Sequence, residues 1–258
     1  MADNAPSSVT RAEHLLGGNL MAGKRGVIMG AANNRSLGWG IAEACAAQGA
    51  ELAFTFQGEA LERRVRPLAT SIGSDFLVHA IAYADKAYLR GRYVDTPRAA
   101  FLQAMDISCF SFLAVAQRAL PLMRPGGSLL TLSYYGAEKW IPHYNVMGVA
   151  KAALEASVRY MAADLGTAGI RVNAISAGPI KTLASSGIGD FHYLFRWNQL
   201  NAPMRRNVSI SEVGGAGMYL LSDLASGVTG EVHHVDCGYH VVGMKHPEAP
   251  DIAIDQGQ

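Results

Sequence analysis

Two side chains invite a chemical reading first. Tyr144 and Lys151 stand seven residues apart at the start of a long helical pattern, Val146 to Leu165. Seven residues turn a helix through about 700° and advance it roughly 10 Å, so both side chains leave from nearly one face. A phenol and an ammonium so placed can address two parts of one ligand. Tyr144 can give a proton or a hydrogen bond to a carbonyl oxygen, while Lys151 holds hydroxyls and lowers the phenol's pKa through its charge. The same spacing also suits a tyrosine packed at a helix start beside a solvated lysine, so the surrounding chain has to decide.

The elements that would position this pair alternate. Val27-Ile28-Met29 reads as a short buried strand, followed by a turn of small residues from Gly30 to Gly40 and a helical run from Ile41 to Gln48. Glu51 to Phe56 reads as a second strand, Glu59 to Ile72 as an amphipathic helix, and Phe76 to Ala82 as a third strand. A long helical pattern, Pro97 to Met123, leads through the turn Pro125-Gly126-Gly127 to a strand at 128–133. Beyond the Tyr144–Lys151 helix come a strand at Arg171 to Ser176, a helix at Ser211 to Leu221 and a last strand at Glu231 to Asp236. This alternation predicts an α/β fold, a doubly wound parallel sheet covered on both faces. No repeat or long linker divides the chain. The expectation is one domain over 21–245, with a flexible arm at 1–20 and a polar tail at 246–258.

Composition narrows the function. Half of the 258 residues are hydrophobic and 17% are charged, which excludes a disordered chain. A net charge of +1 gives no electrostatic case for nucleic acid or an anionic membrane. No continuous apolar run of membrane-spanning length stands out, and the polar first twenty residues do not read as a secretion signal. Cys45, Cys109 and Cys237 are scattered, which fits a reducing, cytoplasmic setting. His143 and the pair His233-His234 suggest no convergent metal site.

Three loops at strand ends are candidates for ligand contacts. The small residues after the first strand let backbone approach a pyrophosphate, and Ser36 either caps the following helix or bonds a phosphate. The glycines fall at 30, 38 and 40, not in the G-x-G-x-x-G spacing, so an ordinary tight turn remains an alternative. Gln57 closes the second strand, where such folds meet the adenosine ribose, and a neutral amide there favours NAD over NADP. Gly178 to Thr182 follows the 171–176 strand, where the Thr182 hydroxyl can meet a pyrophosphate or a carboxamide, or where a simple turn ends the strand. The stretch 183–205 mixes glycines with Phe191, Leu194, Phe195 and Trp197, which suits either a lid over an oily substrate or a helix pair completing the core.

Together these residues resemble the bacterial NADH-dependent enoyl-[acyl-carrier-protein] reductases, a divergent branch of the short-chain dehydrogenase/reductase superfamily. The resemblance runs from about residue 20 to 245. It rests on Met29-Gly30 through Gly40, Thr55-Phe56-Gln57, His79-Ala80-Ile81, Leu132-Ser133-Tyr134, Tyr144 through Lys151, and Arg171 through Pro179. The lysine seven after the tyrosine is the sharp part, because ordinary members place it four after, where Gly148 stands here. The resemblance implies a Rossmann-type fold and reduction of a trans-2-enoyl thioester by NADH in fatty-acid synthesis. It implies that Tyr144 donates to the thioester carbonyl, that Lys151 binds the nicotinamide ribose, and that Tyr134 is a second active-site tyrosine. Gly30, Ser36, Leu37, Gln57, Ile81, Lys151, Ile180, Lys181, Thr182, Leu183 and Ala184 match cofactor positions, and Ala84 a substrate contact. It further implies a homotetramer with acyl carrier protein as transient partner. A carbonyl reductase of the same superfamily and a non-catalytic assembly subunit are the alternatives.

One departure is large. Near Asp75, members of the family carry roughly thirty more residues, a strand and a helix that contact adenine. Here the helix ending at Gly73 runs almost directly into Phe76. Either the segment is lost from this sequence or the sheet lacks an edge strand. A direct link through the 59–72 helix would also demand a left-handed crossover, which is rare.

Overall fold

The structure, a computed structural model, describes residues 17–31, 33–55, 74–182 and 191–252. Six parallel strands form one sheet: β1 (Arg25–Met29), β2 (Glu51–Thr55), β3 (Ser74–His79), β4 (Met123–Ser133), β5 (Arg171–Ala177) and β6 (Val232–Val235). Their order across the sheet is β2-β1-β3-β4-β5-β6. The helices are α1 (Leu37–Ala47), α2 (Arg98–Met105), α3 (Ser111–Ala119), α4 (Asn145–Leu165), α5 (Phe191–Asn201) and α6 (Ile210–Leu221).

Strand side chains alternate between two apolar layers, as a sheet buried on both faces requires. Along β3, Phe76 and Val78 join Ile28, Ile41, Leu130 and Leu220 in one layer. Leu77, between them, joins Phe112, Leu129, Leu154, Val158 and Val172 in the other. The sheet is therefore doubly wound, with α1 and α6 on one face and α3 and α4 on the other.

The pairing places β2 and β3 on opposite sides of β1. Among the described residues β2 is the edge strand, with no further strand beyond it. The predicted helix at 59–72, and with it the handedness of the β2–β3 link, lies outside the described residues. Asp75, placed by sequence just before the third strand, is inside it. Its carboxylate accepts the Arg25 N–H at 2.8 Å and faces Arg124 at 3.4 Å, fastening the start of β3 to its neighbours.

Several boundaries move for physical reasons. Strand β4 begins at Met123, not 128, because Pro125-Gly126-Gly127 is an irregularity inside the strand. Ser74 pairs with Met123 and Phe76 with Ser128, so five residues of β4 span two of β3, with Gly126 at φ 83°. The helical pattern 97–123 is broken by a π segment, Asp106–Phe110, between α2 and α3. The run Arg98–Leu122 is, by length and composition alone, long and apolar enough to cross a bilayer, a test that core helices also pass. Its inner side, Ala104, Phe112 and Ala116, is buried in this fold. Leu102, Phe110 and Leu113 on the same run are exposed.

Candidate active site

The carboxyl ends of β1, β3, β4 and β5 open into a cavity of about 650 Å³. This is where an open α/β sheet places its ligand, beside the point at which strand order reverses. Tyr134, Tyr144 and Lys151 all line it.

Tyr144 is held at the entry to α4 as its N-cap residue, with φ −116°. His143 at φ 58° and Asn145 at φ 22° flank it, both in a region that non-glycine residues rarely adopt. Strain of this kind is held only where surroundings fix it, and it collects at functional sites. Part of the fixing is visible, since the Asn145 amide donates to the carbonyls of Arg90 and Gly91 at 3.2 Å each. The Tyr134 ring meets Tyr144 edge-on at 5.0 Å between centroids.

Position 148 explains the lysine spacing. A Cβ at Gly148 would sit 2.8 Å from the Gly136 carbonyl oxygen, so the first turn of α4 packs on the 134–137 backbone with no room for a side chain. A lysine four residues after Tyr144 cannot be accommodated without moving that backbone. Lys151, one turn further on, is 6% exposed and donates from Nζ to the Leu132 carbonyl at 2.7 Å. Burial lowers its pKa to about 8, against the upward pull of Glu155 and then Cys109. The tyrosines behave differently from the sequence expectation. Burial raises the Tyr144 phenol above its ordinary value, with Tyr134 and Glu155 adding to the rise. The expected lowering by the Lys151 charge is corrected: the net shift is upward because desolvation dominates, and the phenol stays a protonated donor. Burial likewise raises Tyr134.

The residues assigned to a dinucleotide divide into three groups. Gly30, Ser36, Leu37, Ile81, Ile180 and Thr182 line the cavity together with Lys151, as does Ala84 from the substrate assignment. Lys181 does not line it; its ammonium lies 4.7 Å over the Phe195 ring. Gln57, Leu183 and Ala184 are outside the described residues, as is the lid stretch 183–190. The rest of the stretch 183–205 includes α5, which contributes Phe191 and Leu194 to an apolar wall with Leu89 and Met147. Sequence reading missed Leu89 and Met147, which look like ordinary core residues in the chain.

The end of β1 and the start of α1 have features that suit an anion. Gly30 has φ 83°, and a Cβ there would lie 2.1 Å from the Ala80 carbonyl oxygen, so only glycine lets the β1 and β3 ends close over the crevice. Ser36 caps α1, accepting the Trp39 N–H at 3.3 Å, and the first turn of α1 carries no acidic side chain. The first turn of α1, with Ser36, Leu37 and Gly38 on the cavity, presents the positive end of the helix dipole there.

Comparison with known proteins decides the family. The profile described as Enoyl-(Acyl carrier protein) reductase matches residues 30–76 and 72–240. The chain belongs to that family. A Rhizobium meliloti member, enoyl-[acyl-carrier-protein] reductase [NADH] 1, is 62% identical, the match covering 91% of this chain and 97% of that relative. The Rickettsia typhi reductase is 52% identical over 87% of this chain and 97% of its own length. The crystal structure of the Anaplasma phagocytophilum reductase in complex with NAD superposes with a TM-score of 0.83 at 55% identity, covering 91% of this chain and 98% of that one.

The same matches locate the departure in the chain. The alignment to the Rhizobium relative runs over 263 residues yet draws on 91% of this chain's 258, so about 28 of its positions face no residue here. The two stretches matched by the family profile meet at 72–76, the start of β3. That junction and the size of the shortfall agree with the departure noted near Asp75.

Proposed function

We propose that the chain reduces the C2=C3 double bond of a trans-2-enoyl thioester on acyl carrier protein, using NADH, in fatty-acid biosynthesis. The observation that carries this reading is the convergence of Tyr144 and Lys151 on one cavity, with position 148 closed to a side chain. NADH, when bound, supplies the hydride for the β-carbon. Gly30, Ser36 and Leu37 would hold its pyrophosphate, Lys151 its nicotinamide ribose, and Ile81, Ile180 and Thr182 the neighbouring walls. Tyr144 would donate to the thioester oxygen as negative charge builds there, so the donor acts more strongly on the transition state than on the substrate. Tyr134, edge-on to it, would limit where the phenol can point. The apolar wall of Leu89, Met147, Phe191 and Leu194 suits an acyl chain, beside Ala84.

The domain from 21 to 245, with its lid at 183–205, would act as one unit in the cytoplasm. The exposed apolar side chains on α2 and α3, together with Val149 and Tyr160 on α4, suit packing against further copies in a homotetramer. A carbonyl reductase is disfavoured by the closed position 148, and a non-catalytic subunit by the complete tyrosine–lysine pair. Following NADH absorbance with crotonyl and longer enoyl thioesters tests the assignment. Turnover of β-ketoacyl thioesters with no turnover of enoyl thioesters would overturn it.

A further inference from the structure

Behind the cavity wall lies a charged group that the scheme above does not use. Glu155 is one helical turn past Lys151 on α4, only 6% exposed, and it is not among the residues lining the cavity. Its Oε1 accepts a short hydrogen bond from the Ser133 hydroxyl, and Ser133 is itself buried. Ser133 occupies a particular place in the chain. The residue before it, Leu132, offers the carbonyl that anchors Lys151, and the residue after it, Tyr134, presents its ring to Tyr144. One hydrogen bond therefore ties the end of β4 to α4 where both reactive groups take their bearings.

A buried carboxylate is costly unless it is hydrogen-bonded and faces a positive charge, and the same holds for a buried ammonium. Glu155 lies four residues after Lys151 on one helix, and its charge acts on Lys151 against the effect of burial. We propose that Glu155 is a positioning residue for the reaction, clamping the β4 end through Ser133 and supplying the counter-charge that keeps Lys151 an ammonium at the nicotinamide ribose. This rests on the reductase reading of the Tyr144–Lys151 pair.

Burial raises the Glu155 carboxyl; the Ser133 hydrogen bond lowers it, Glu138 raises it, and His234 and Arg159 lower it. His234 from β6 is held by Glu138 at 2.6 Å. On Lys151 burial acts downward and Glu155 is the larger of the upward influences, ahead of Cys109. Buried His79 has its pKa lowered to about 4, mainly by burial and then by Lys151, so it is neutral across the range of interest.

The test compares Glu155→Gln, Glu155→Asp and Ser133→Ala with the unaltered chain. Lys151 is titrated directly by NMR of its ε-methylene in lysine-labelled protein, and NADH binding is followed by fluorescence from pH 6 to 10. Glu155→Gln keeps an acceptor for Ser133 but removes the charge. Its Lys151 midpoint is expected to fall by about one pH unit or more, a tenfold loss of proton affinity, with NADH binding weakening over the same range. Glu155→Asp should restore the midpoint in part. Ser133→Ala keeps the charge and loses the clamp, so kcat should fall several-fold while the Lys151 midpoint stays. An unchanged Lys151 midpoint in Glu155→Gln, or an unchanged kcat in Ser133→Ala, overturns the proposal. If the unaltered chain reduces no enoyl thioester, the functional reading fails, while the Lys151 titration still decides the counter-charge. Should Glu155→Gln not fold, Glu155→Asp carries the titration: a midpoint identical to the unaltered chain's overturns the role, and a lowered one supports it.

Discussion

Replacing Tyr144 by Phe removes one oxygen from a site that otherwise holds the ring in place. The ring is wedged against Gly136, where a Cβ would lie 2.4 Å from Tyr144 Cδ1, and it meets Tyr134 edge-on. Neither contact uses the hydroxyl, so the variant should fold with an unchanged melting temperature and NADH affinity. What it loses is a preplaced donor to the thioester oxygen. Removal of one such donor in a water-poor site typically raises the barrier by about 3 kcal/mol, or roughly a 150-fold loss in kcat. Tyr144 is 6% exposed, and burial holds its phenol above the usual tyrosine pKa, so it stays a donor throughout the working pH range. The loss should therefore be nearly constant from pH 6 to 9. Steady-state NADH oxidation with crotonyl thioester, alongside a fluorescence titration of NADH, measures both parts. A Phe variant within threefold of the unaltered kcat would refute the donor role.

Other outcomes follow from the same geometry. Burial lowers the pKa of Lys151 from 10.5 to about 8, so between those values the unfolded chain binds a proton that the folded chain does not. Stability should rise with pH across that window, because the buried charge is a cost below it, and urea midpoints of Lys151→Met should lack the rise. That variant should also lose at least tenfold in NADH affinity. Glu212 completes the capping box of α6 and pairs with Arg206 at 2.6 Å, and its pKa falls from 4.5 to about 2, chiefly through the Arg206 hydrogen bond. Its contribution is present above 4.5 and is lost as pH drops toward 2. In this partly solvated setting Glu212→Ala should cost about 1–2 kcal/mol at pH 7, and denaturant melts should show the difference vanish in acid. Without the segment missing at 72–76, the adenosine end of NADH should be poorly held. ADP-ribose should displace NADH far less well from this chain than from the Rhizobium relative, and equal displacement in a fluorescence titration would contradict this.

Much of the site was legible because its requirements are local. The seven-residue interval between Tyr144 and Lys151 marks the pair in the chain, although Tyr144 is the N-cap of α4 and not part of it, and the apolar runs 27–29, 76–78 and 128–132 read as buried strands. The shortfall of residues near Asp75 is also a property of the chain, visible in its length between two motifs. Contacts across the sheet are a different matter. That Gly148 must lack a side chain depends on the Gly136 carbonyl reaching it, which no spacing reveals. That Lys181 turns to Phe195 while its neighbours Ile180 and Thr182 face the cavity depends on how α5 packs. The direction of the Tyr144 pKa needed the burial of the ring, because desolvation by distant elements outweighs the charge of a lysine one can count in the sequence. Residue types and intervals determined which groups are available for the chemistry; the packing of α4 against the end of β4 decided their protonation, their orientation and the buried carboxylate that stands behind them.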